Sequence, residues 1–124
     1  GRLCWSGLIA DLSEKQLEEM FKAEDFYERV SPIIKRGNSY IYRTDICSFH
    51  DPVGTQAVAR YSEDGEYLLI VCHGMRGSAE IKIPLKGEYT LEASLYKDEI
   101  QDGKCFVYSP KADFVGNAFL LKKC

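Results

Sequence analysis

The order of apolar and polar residues divides the chain into a helical segment and a longer segment with the alternation of β-strands. Ser13 can cap the helix, and Gln16 three residues later completes a capping box. The apolar positions that follow at helical spacing are Leu17, Met20, Phe21, Phe26, Tyr27 and Val30. Pro32 either kinks or ends this helix, or else Ser31 restarts a short turn that stops at Gly37. One amphipathic helix is therefore predicted.

From Tyr40 onward the apolar residues recur with a period of two, which is typical of strands. The predicted strands lie at 40–43, 55–62, 67–73, 81–85, 91–95, 104–108 and 119–122. Asp64-Gly65 is a strong hairpin signal, and Gly87, Gly103 and Gly116 are expected in turns. Pro84 should place its strand at an edge or end it. We predict a mainly β fold, an antiparallel Greek-key β-sandwich of about seven strands preceded by the helix.

Composition narrows the classes of function. The chain has 124 residues, 45% of them hydrophobic and 28% charged, which is ordinary for one globular domain. The longest apolar run, Tyr67 to Cys72, is far shorter than the roughly 20 residues of a membrane span. The net charge is −3 and the basic residues are scattered, which argues against a nucleic-acid partner. We therefore expect neither nucleic acid nor membrane as a partner.

The cysteines favour a reduced, cytoplasmic chain. Their count is odd and no Cys-x-x-Cys pair occurs among Cys4, Cys47, Cys72, Cys105 and Cys124. No metal site or cofactor is expected, although one disulfide remains an alternative. Cys72 and Cys105 fall inside apolar strand patterns, where a thiol behaves as a small hydrophobic side chain.

Few residues are candidates for chemistry. His50 beside Asp51 suggests a dyad, but adjacent side chains rarely orient for one, and His73 is expected to be partly buried and structural. Two acidic pairs, Glu24-Asp25 and Asp98-Glu99, are better interpreted as solvated charge than as glycosidase carboxylates. No catalytic residue is assigned. Exposed tyrosines could stack on sugar rings, but as strand formers they favour a structural role; these are Tyr40, Tyr42, Tyr61, Tyr67, Tyr89, Tyr96 and Tyr108.

Three runs of residues resemble a known family. Ser6-Gly7 is followed by Leu12-Ser13 and Leu17, and then by Phe26-Tyr27, Pro32, Ile34 and Gly37. This order is similar to the end of the catalytic barrel in α-galactosidases of glycoside hydrolase family 36, the melibiase group, and the closing run at 116–122 is similar to the end of such chains. The abrupt apolar start at 3–9 is likewise what a piece of a longer protein would show.

The resemblance implies a parent enzyme, a retaining α-glycosidase whose two catalytic aspartates lie on barrel strands that have no counterpart here. Residues 1–37 would be the end of that barrel and residues 38–124 its carboxy-terminal β-sandwich. Trp5 and Ser6 match a stretch that could approach the substrate pocket. The chain would then be an inactive accessory domain that caps or stabilises the barrel, meets an α-galactoside only through the parent, and could form homo-oligomers. The alternative is a free-standing carbohydrate-binding or protein-interaction module.

Overall fold

The computed structural model describes residues 13–44, 53–98 and 100–124 as one helix and seven strands. The elements in chain order are α1 (Glu14–Arg36), β1 (Asn38–Arg43), β2 (Thr55–Tyr61), β3 (Tyr67–Gly74), β4 (Ile81–Ser94), β5 (Ile100–Gln101), β6 (Gly103–Tyr108) and β7 (Val115–Lys123). A mainly β fold with one amino-terminal helix is thereby confirmed.

The capping box predicted at the start of α1 is present in both directions. The Gln16 amide donates to Ser13 Oγ at 3.2 Å, and the Ser13 amide donates to Gln16 Oε1 at 2.9 Å. The spacing of Leu12 and Leu17 also predicts a hydrophobic staple across this cap, but Leu12 lies outside the described residues. Pro32 does not end the helix, because α1 continues through it to Arg36, and the Gly37 amide then bonds to the Ile33 carbonyl at 2.9 Å.

All seven strands pair antiparallel in one curled sheet with the order β1-β2-β3-β7-β4-β6-β5. Strand β4 connects the two halves of the sheet. Its residues Ile81–Pro84 pair with β6, whereas its later part, from Tyr89 to Ser94, pairs with β7. The prediction that Pro84 lies in an edge strand or ends its strand is wrong, because β4 is an interior strand and continues to Ser94. Pro84 is accommodated in the part of β4 that has one strand partner, where a missing N–H is tolerated.

Two features of the strand assignment were predicted wrongly. The runs at 81–85 and 91–95 are one strand of 14 residues rather than two, and a two-residue strand, β5, replaces the lost one in the count. Gly87 and Gly116 lie within strands and not in turns. The hairpin between β2 and β3 is confirmed, with Gly65 at a φ of 76°, a value that favours glycine.

Apolar side chains cover both faces of the sheet. The concave face encloses the larger core, which includes Leu68, Ile70, Phe106, Tyr108, Phe119 and Leu121. On the convex face α1 packs its buried residues Phe26, Val30 and Ile33 against Leu69 of β3 and Leu120 of β7. Strands β3 and β7 are thus apolar on both sides, as expected of central strands. The helix is part of the same packed body as the sheet.

Within the described residues, no helix combines the length and the apolar character needed to cross a membrane.

Candidate functional site

The Arg60 side chain of β2 attaches the end of α1 to the sheet. Arg60 of β2 donates from Nε to the Ile33 carbonyl oxygen at 2.9 Å and from a terminal nitrogen to Ser39 Oγ at 2.7 Å. The Ile33 carbonyl already accepts the Gly37 amide, so it receives two donors. A guanidinium is a strong donor, and carbonyls in the last turn of a helix carry partial negative charge. This contact fixes the direction in which the helix leaves the sheet.

Beside this attachment lies a groove of about 620 Å³ between α1 and the sheet, here called the helix groove. Its floor is apolar, formed by Ile33, Tyr67 and Leu120, and its rim is charged. The rim residues include Arg29, Arg36, Glu63, Asp64 and Glu92. A groove with an apolar floor and charges of both signs suits a segment of a protein better than a small charged substrate.

The charges of the helix groove contribute little to stability. Arg29 and Glu92 form an ion pair at 3.5 Å between α1 and β4, but their side chains are 48% and 35% exposed. Solvent screens a pair of that exposure strongly, so its contribution is well below 1 kcal/mol. The pair can therefore exchange one partner for a charge on an incoming molecule at a small energetic cost.

Asp64 in the rim is held as a carboxylate. The Ser62 hydroxyl donates to its Oδ1 at 2.7 Å and the Glu66 amide donates to the same atom at 3.0 Å. These bonds, the Ser62 bond first, lower the pKa of the Asp64 carboxyl below its ordinary value of 3.8. A general acid in glycoside hydrolysis requires a raised pKa. Asp64 is thus a turn residue and is poorly suited to proton donation.

The face of α1 that points away from the sheet carries an exposed phenylalanine. Phe21 is 58% exposed. At 3.6 residues per turn it lies about 140° from Phe26 and about 180° from Val30, both of which are buried against the sheet. Met20, Phe26 and Val30 of the predicted amphipathic stripe are therefore buried, whereas Phe21 is not. One face is used by the β-sheet, and the other presents an aromatic ring to solvent.

Several residues singled out in the sequence lie outside the described residues: Trp5, Ser6, His50, Asp51 and Glu99. Of those that are described, His73 is exposed at the end of β3, so its predicted partial burial is wrong. Asp98 accepts a hydrogen bond from Asn117 Nδ2 at 2.7 Å and has a structural contact rather than purely solvated charge. Among the described residues, no three His, Cys, Asp or Glu side chains come together as a group that could hold a metal ion.

The tyrosines do not form an exposed row among the described strands. Tyr61, Tyr89 and Tyr108 are buried in the concave core. Tyr40 is 39% exposed in β1, where its hydroxyl accepts a hydrogen bond from Lys86, whose ammonium also lies 4.1 Å from the centre of the Tyr40 ring. The rings of Tyr40, Tyr61 and Tyr89 pack edge to face, at 5.8 and 5.9 Å between successive centres. Most of these tyrosines therefore stabilise the curled sheet.

The described cysteines differ in environment. Cys72 is buried in the concave core, and burial, with a smaller effect of the Asp98 charge, raises the pKa of its thiol to about 12. Cys105 is exposed, which contradicts its prediction as an interior residue. Cys72, Cys105 and Cys124 are free thiols. Pairing that involves Cys4 or Cys47 lies outside the described residues.

Sequence patterns did not reveal two residues that organise the fold. Asn117 is buried at the start of β7, and its Oδ1 accepts from the amides of Tyr96 and Ala118. Its Nδ2 donates to the Tyr96 carbonyl and to Asp98. A lone asparagine inside an apolar run, as in Gly116-Asn117-Ala118-Phe119, is the one signal that could have indicated this role. For Arg60, which alternates with apolar residues as any exposed position does, no such signal exists.

Comparisons with protein-family profiles, with curated protein sequences and with solved structures gave no match to this chain.

Proposed function

We propose that this chain is a non-catalytic carboxy-terminal accessory domain of an α-galactosidase-like glycoside hydrolase, in which α1 joins the β-sheet to a catalytic barrel. In this proposal residues 1–37 complete the barrel, with Trp5 and Ser6 near its substrate pocket, and residues 38–124 form the β-domain. The curled sheet is proposed to close as a Greek-key sandwich. The parent would be a cytoplasmic enzyme and would act on an α-galactoside.

The two-sided helix carries this proposal. Phe26, Val30 and Ile33 attach α1 to the convex face of the sheet, while Phe21 lies exposed on the opposite face. A helix placed between two folded bodies needs apolar side chains on both faces, whereas a helix that only covers a sheet needs them on one. The second face is the surface on which we expect the barrel to pack. The helix groove, towards the carboxy-terminal end of α1, offers charged rim residues to the same neighbour.

A free-standing carbohydrate-binding module is the alternative, and a row of two or three exposed tyrosines on one sheet face would favour it. The described residues place Tyr61, Tyr89 and Tyr108 in the core instead. That placement leaves these three rings out of any exposed row, which supports the accessory domain over a platform of tyrosines. A homo-oligomer remains a second way to cover Phe21.

The test uses the protein as its source produces it. An antibody raised against the 124-residue chain should detect a native product much larger than the 14.1 kDa of the chain. That product should hydrolyse a nitrophenyl α-galactoside, and the isolated chain should not. A native product of about 14 kDa, or turnover by the isolated chain, would overturn the proposal.

A pair of matched variants then tests the role of the helix. In the native protein Phe21→Ala should lower the temperature of heat inactivation by several degrees, because it removes packing between two bodies. In the isolated chain the same substitution should change the free energy of unfolding by less than about 0.5 kcal/mol, since the ring is exposed. Ile41→Ala, which removes an apolar side chain that is 57% exposed on β1, is the control and should leave heat inactivation unchanged. Equal effects of both variants would contradict the proposal that α1 forms the contact between the β-sheet and the barrel.

A further inference from the structure

A second groove lies on the convex face, at the end of the sheet where β3 finishes and β7 begins. It has a volume of about 430 Å³ and is here called the Phe114 groove. Its lining consists of Gln56, His73, Gly74, Met75, Phe114, Val115 and Gly116. No residue of the accessory-domain argument belongs to it, so an inference from this groove stands independently of that proposal.

Three strands build the floor of the groove in register. Gln56 of β2 pairs with His73 of β3, which in turn pairs with Gly116 of β7. Directly paired residues share one face of a sheet, so these three form a row across it. A Cβ on Gly116 would lie 3.5 Å from the His73 ring, an ordinary van der Waals distance, so the imidazole lies over this part of β7. Arg43 donates to Gln56 Oε1 at 3.3 Å and orients that amide.

Phe114 forms one wall, in a conformation that its own packing does not explain. Its φ is 56°, in the left-handed region, where bulky residues are strained. Its side chain is 72% exposed, so burial of the ring does not offset the strain. Strain of this kind persists where the surrounding structure holds it, and it concentrates at binding sites.

Asp113, the residue before Phe114, holds the backbone of this loop in place. Asp113 Oδ1 accepts from the Ser78 amide at 3.0 Å. The single Ser78 hydroxyl proton lies between two acceptors, the Ala112 carbonyl oxygen at 2.9 Å and Asp113 Oδ1 at 3.2 Å. These bonds attach the loop before β7 to the loop after β3. The aromatic ring is therefore presented by a braced loop, next to the row of Gln56 and His73.

We propose that the Phe114 groove binds a neutral sugar, a hexopyranoside whose apolar ring face lies on the Phe114 ring while its hydroxyls bond to His73 and Gln56. The lining residues that the structure describes include no Asp, Glu, Lys or Arg, and the Arg43 guanidinium beside them already donates to Gln56 Oε1. An amide and an imidazole can both donate to and accept from hydroxyl groups. A pyranose combines a face of C–H groups with a rim of hydroxyls, which matches an aromatic wall beside two such side chains.

The proposal is tested by titrating the isotope-labelled chain with methyl α-D-galactopyranoside and methyl β-D-glucopyranoside, followed by nuclear magnetic resonance. Backbone signals of residues 56, 73–75 and 114–116 should shift and saturate with at least one of the two sugars. Phe114→Ala and His73→Ala should each weaken that binding at least tenfold, whereas Phe114→Trp should retain it because the ring is kept. Sodium acetate, a small anion, should not saturate the same signals.

Phe21→Ala is the matched control, because it removes another exposed phenylalanine that does not line the groove. It should leave sugar binding unchanged, and the spectra of all variants confirm that each remains folded. Absence of saturable shifts up to tens of millimolar of both sugars would overturn the proposal. Unaltered binding in Phe114→Ala, or shifts confined to another surface, would do so as well. Sugar binding is tested with Phe114→Ala and His73→Ala, whereas the contact with the barrel is tested with Phe21→Ala. Either proposal can therefore fail while the other holds.

Discussion

The backbone at Gly37 passes directly beside the carbonyl oxygen of Tyr61, where the chain leaves α1 and turns into β1. A Cβ atom at this position would collide with the Tyr61 oxygen and would lie 2.6 Å from the Ile33 oxygen. Both obstacles are backbone atoms, which cannot move without disturbing α1 or β2. Close approach, and not a positive φ, is what requires glycine here, because its φ is −83°.

Gly37→Ala should therefore lower the free energy of unfolding by about 1–3 kcal/mol, the usual effect of overpacking a site that cannot relax. Urea denaturation followed by circular dichroism measures it. Gly87→Ala is the matched control, since a Cβ there meets only the side chains of Lys123 and Tyr89 at 3.6 Å. Its change should stay within about 0.5 kcal/mol. Equal losses in both variants would show that the Gly37 contact is not the cause.

The bond from Arg60 to Ile33 predicts a second loss of stability. Arg60→Ala removes a charge-assisted donor to the helix end as well as the bond to Ser39, and should reduce the free energy of unfolding by about 1–2 kcal/mol. Lys82→Ala is the control, because its pairing with Glu80 is at 3.9 Å between exposed side chains and should contribute almost nothing. Hydrogen exchange of the last turn of α1 should accelerate in Arg60→Ala only.

Asn117 should be one of the most sensitive polar positions. Asn117→Ala leaves the backbone groups of Tyr96 without their side-chain partners and opens a space in the buried start of β7. We expect a loss of about 2–3 kcal/mol. Asn38→Ala, at an exposed position, should be close to neutral. A loss below about 0.5 kcal/mol for Asn117→Ala would contradict the structural role.

From the burial of Cys72 we predict which cysteines react with iodoacetamide in the folded chain. Iodoacetamide reacts with the thiolate, and at pH 8 the Cys72 thiol, with a pKa of about 12, is both protonated and enclosed. Mass spectrometry of the labelled peptides should show Cys105 and Cys124 modified in the folded chain and Cys72 modified only after denaturation. Labelling of Cys72 at the rate of Cys105 under native conditions would contradict the burial of β3.

The loss of folding stability at acidic pH should depend in part on Asp113. Its hydrogen bonds, that to the Ser78 amide first, lower the pKa of the carboxyl below 3.8 in the folded protein. A carboxyl with a depressed folded pKa stabilises the protein fully above its unfolded pKa, and this contribution disappears as the pH falls through the folded value. Denaturation midpoints of wild type and Asp113→Asn should therefore differ at pH 7 and converge towards pH 2. A constant difference across that range would exclude Asp113 as the titrating group.

Local signals predicted a large part of the fold. The capping box of Ser13 and Gln16 and the hairpin at Gly65 need only neighbouring residues, so they could be recognised without the tertiary structure. Most strands were found because an alternation of period two reflects two different faces. Where both faces are apolar that signal disappears, which is why Cys105 was placed inside. In β6 every residue from Cys105 to Tyr108 is apolar, so the sequence does not show which alternate pair is buried. In the curled sheet the buried pair is Phe106 and Tyr108.

The candidate surfaces could be predicted far less well. The amphipathic stripe of α1 was visible in the sequence, but which of its phenylalanines would be buried was not, because the width of the stripe exceeds what one sheet covers. Phe114 gave only a faint signal, as an isolated aromatic in the polar run Ser109-Pro110-Lys111-Ala112-Asp113. Its neighbours in the groove, His73 and Gln56, are distant in sequence and come together through strand register.

The sequence by itself thus determined that a capped helix precedes an antiparallel sheet, because caps, turns and periodicity depend only on residues that are close together in the chain. Only the tertiary structure decided that β4 is one strand joining two halves of the sheet. It also decided that Gly37 lies against Tyr61 and that Phe114 and His73 line one groove. Each of these depends on pairing between segments remote along the chain, and the free energy of such pairing is not a property of either segment alone.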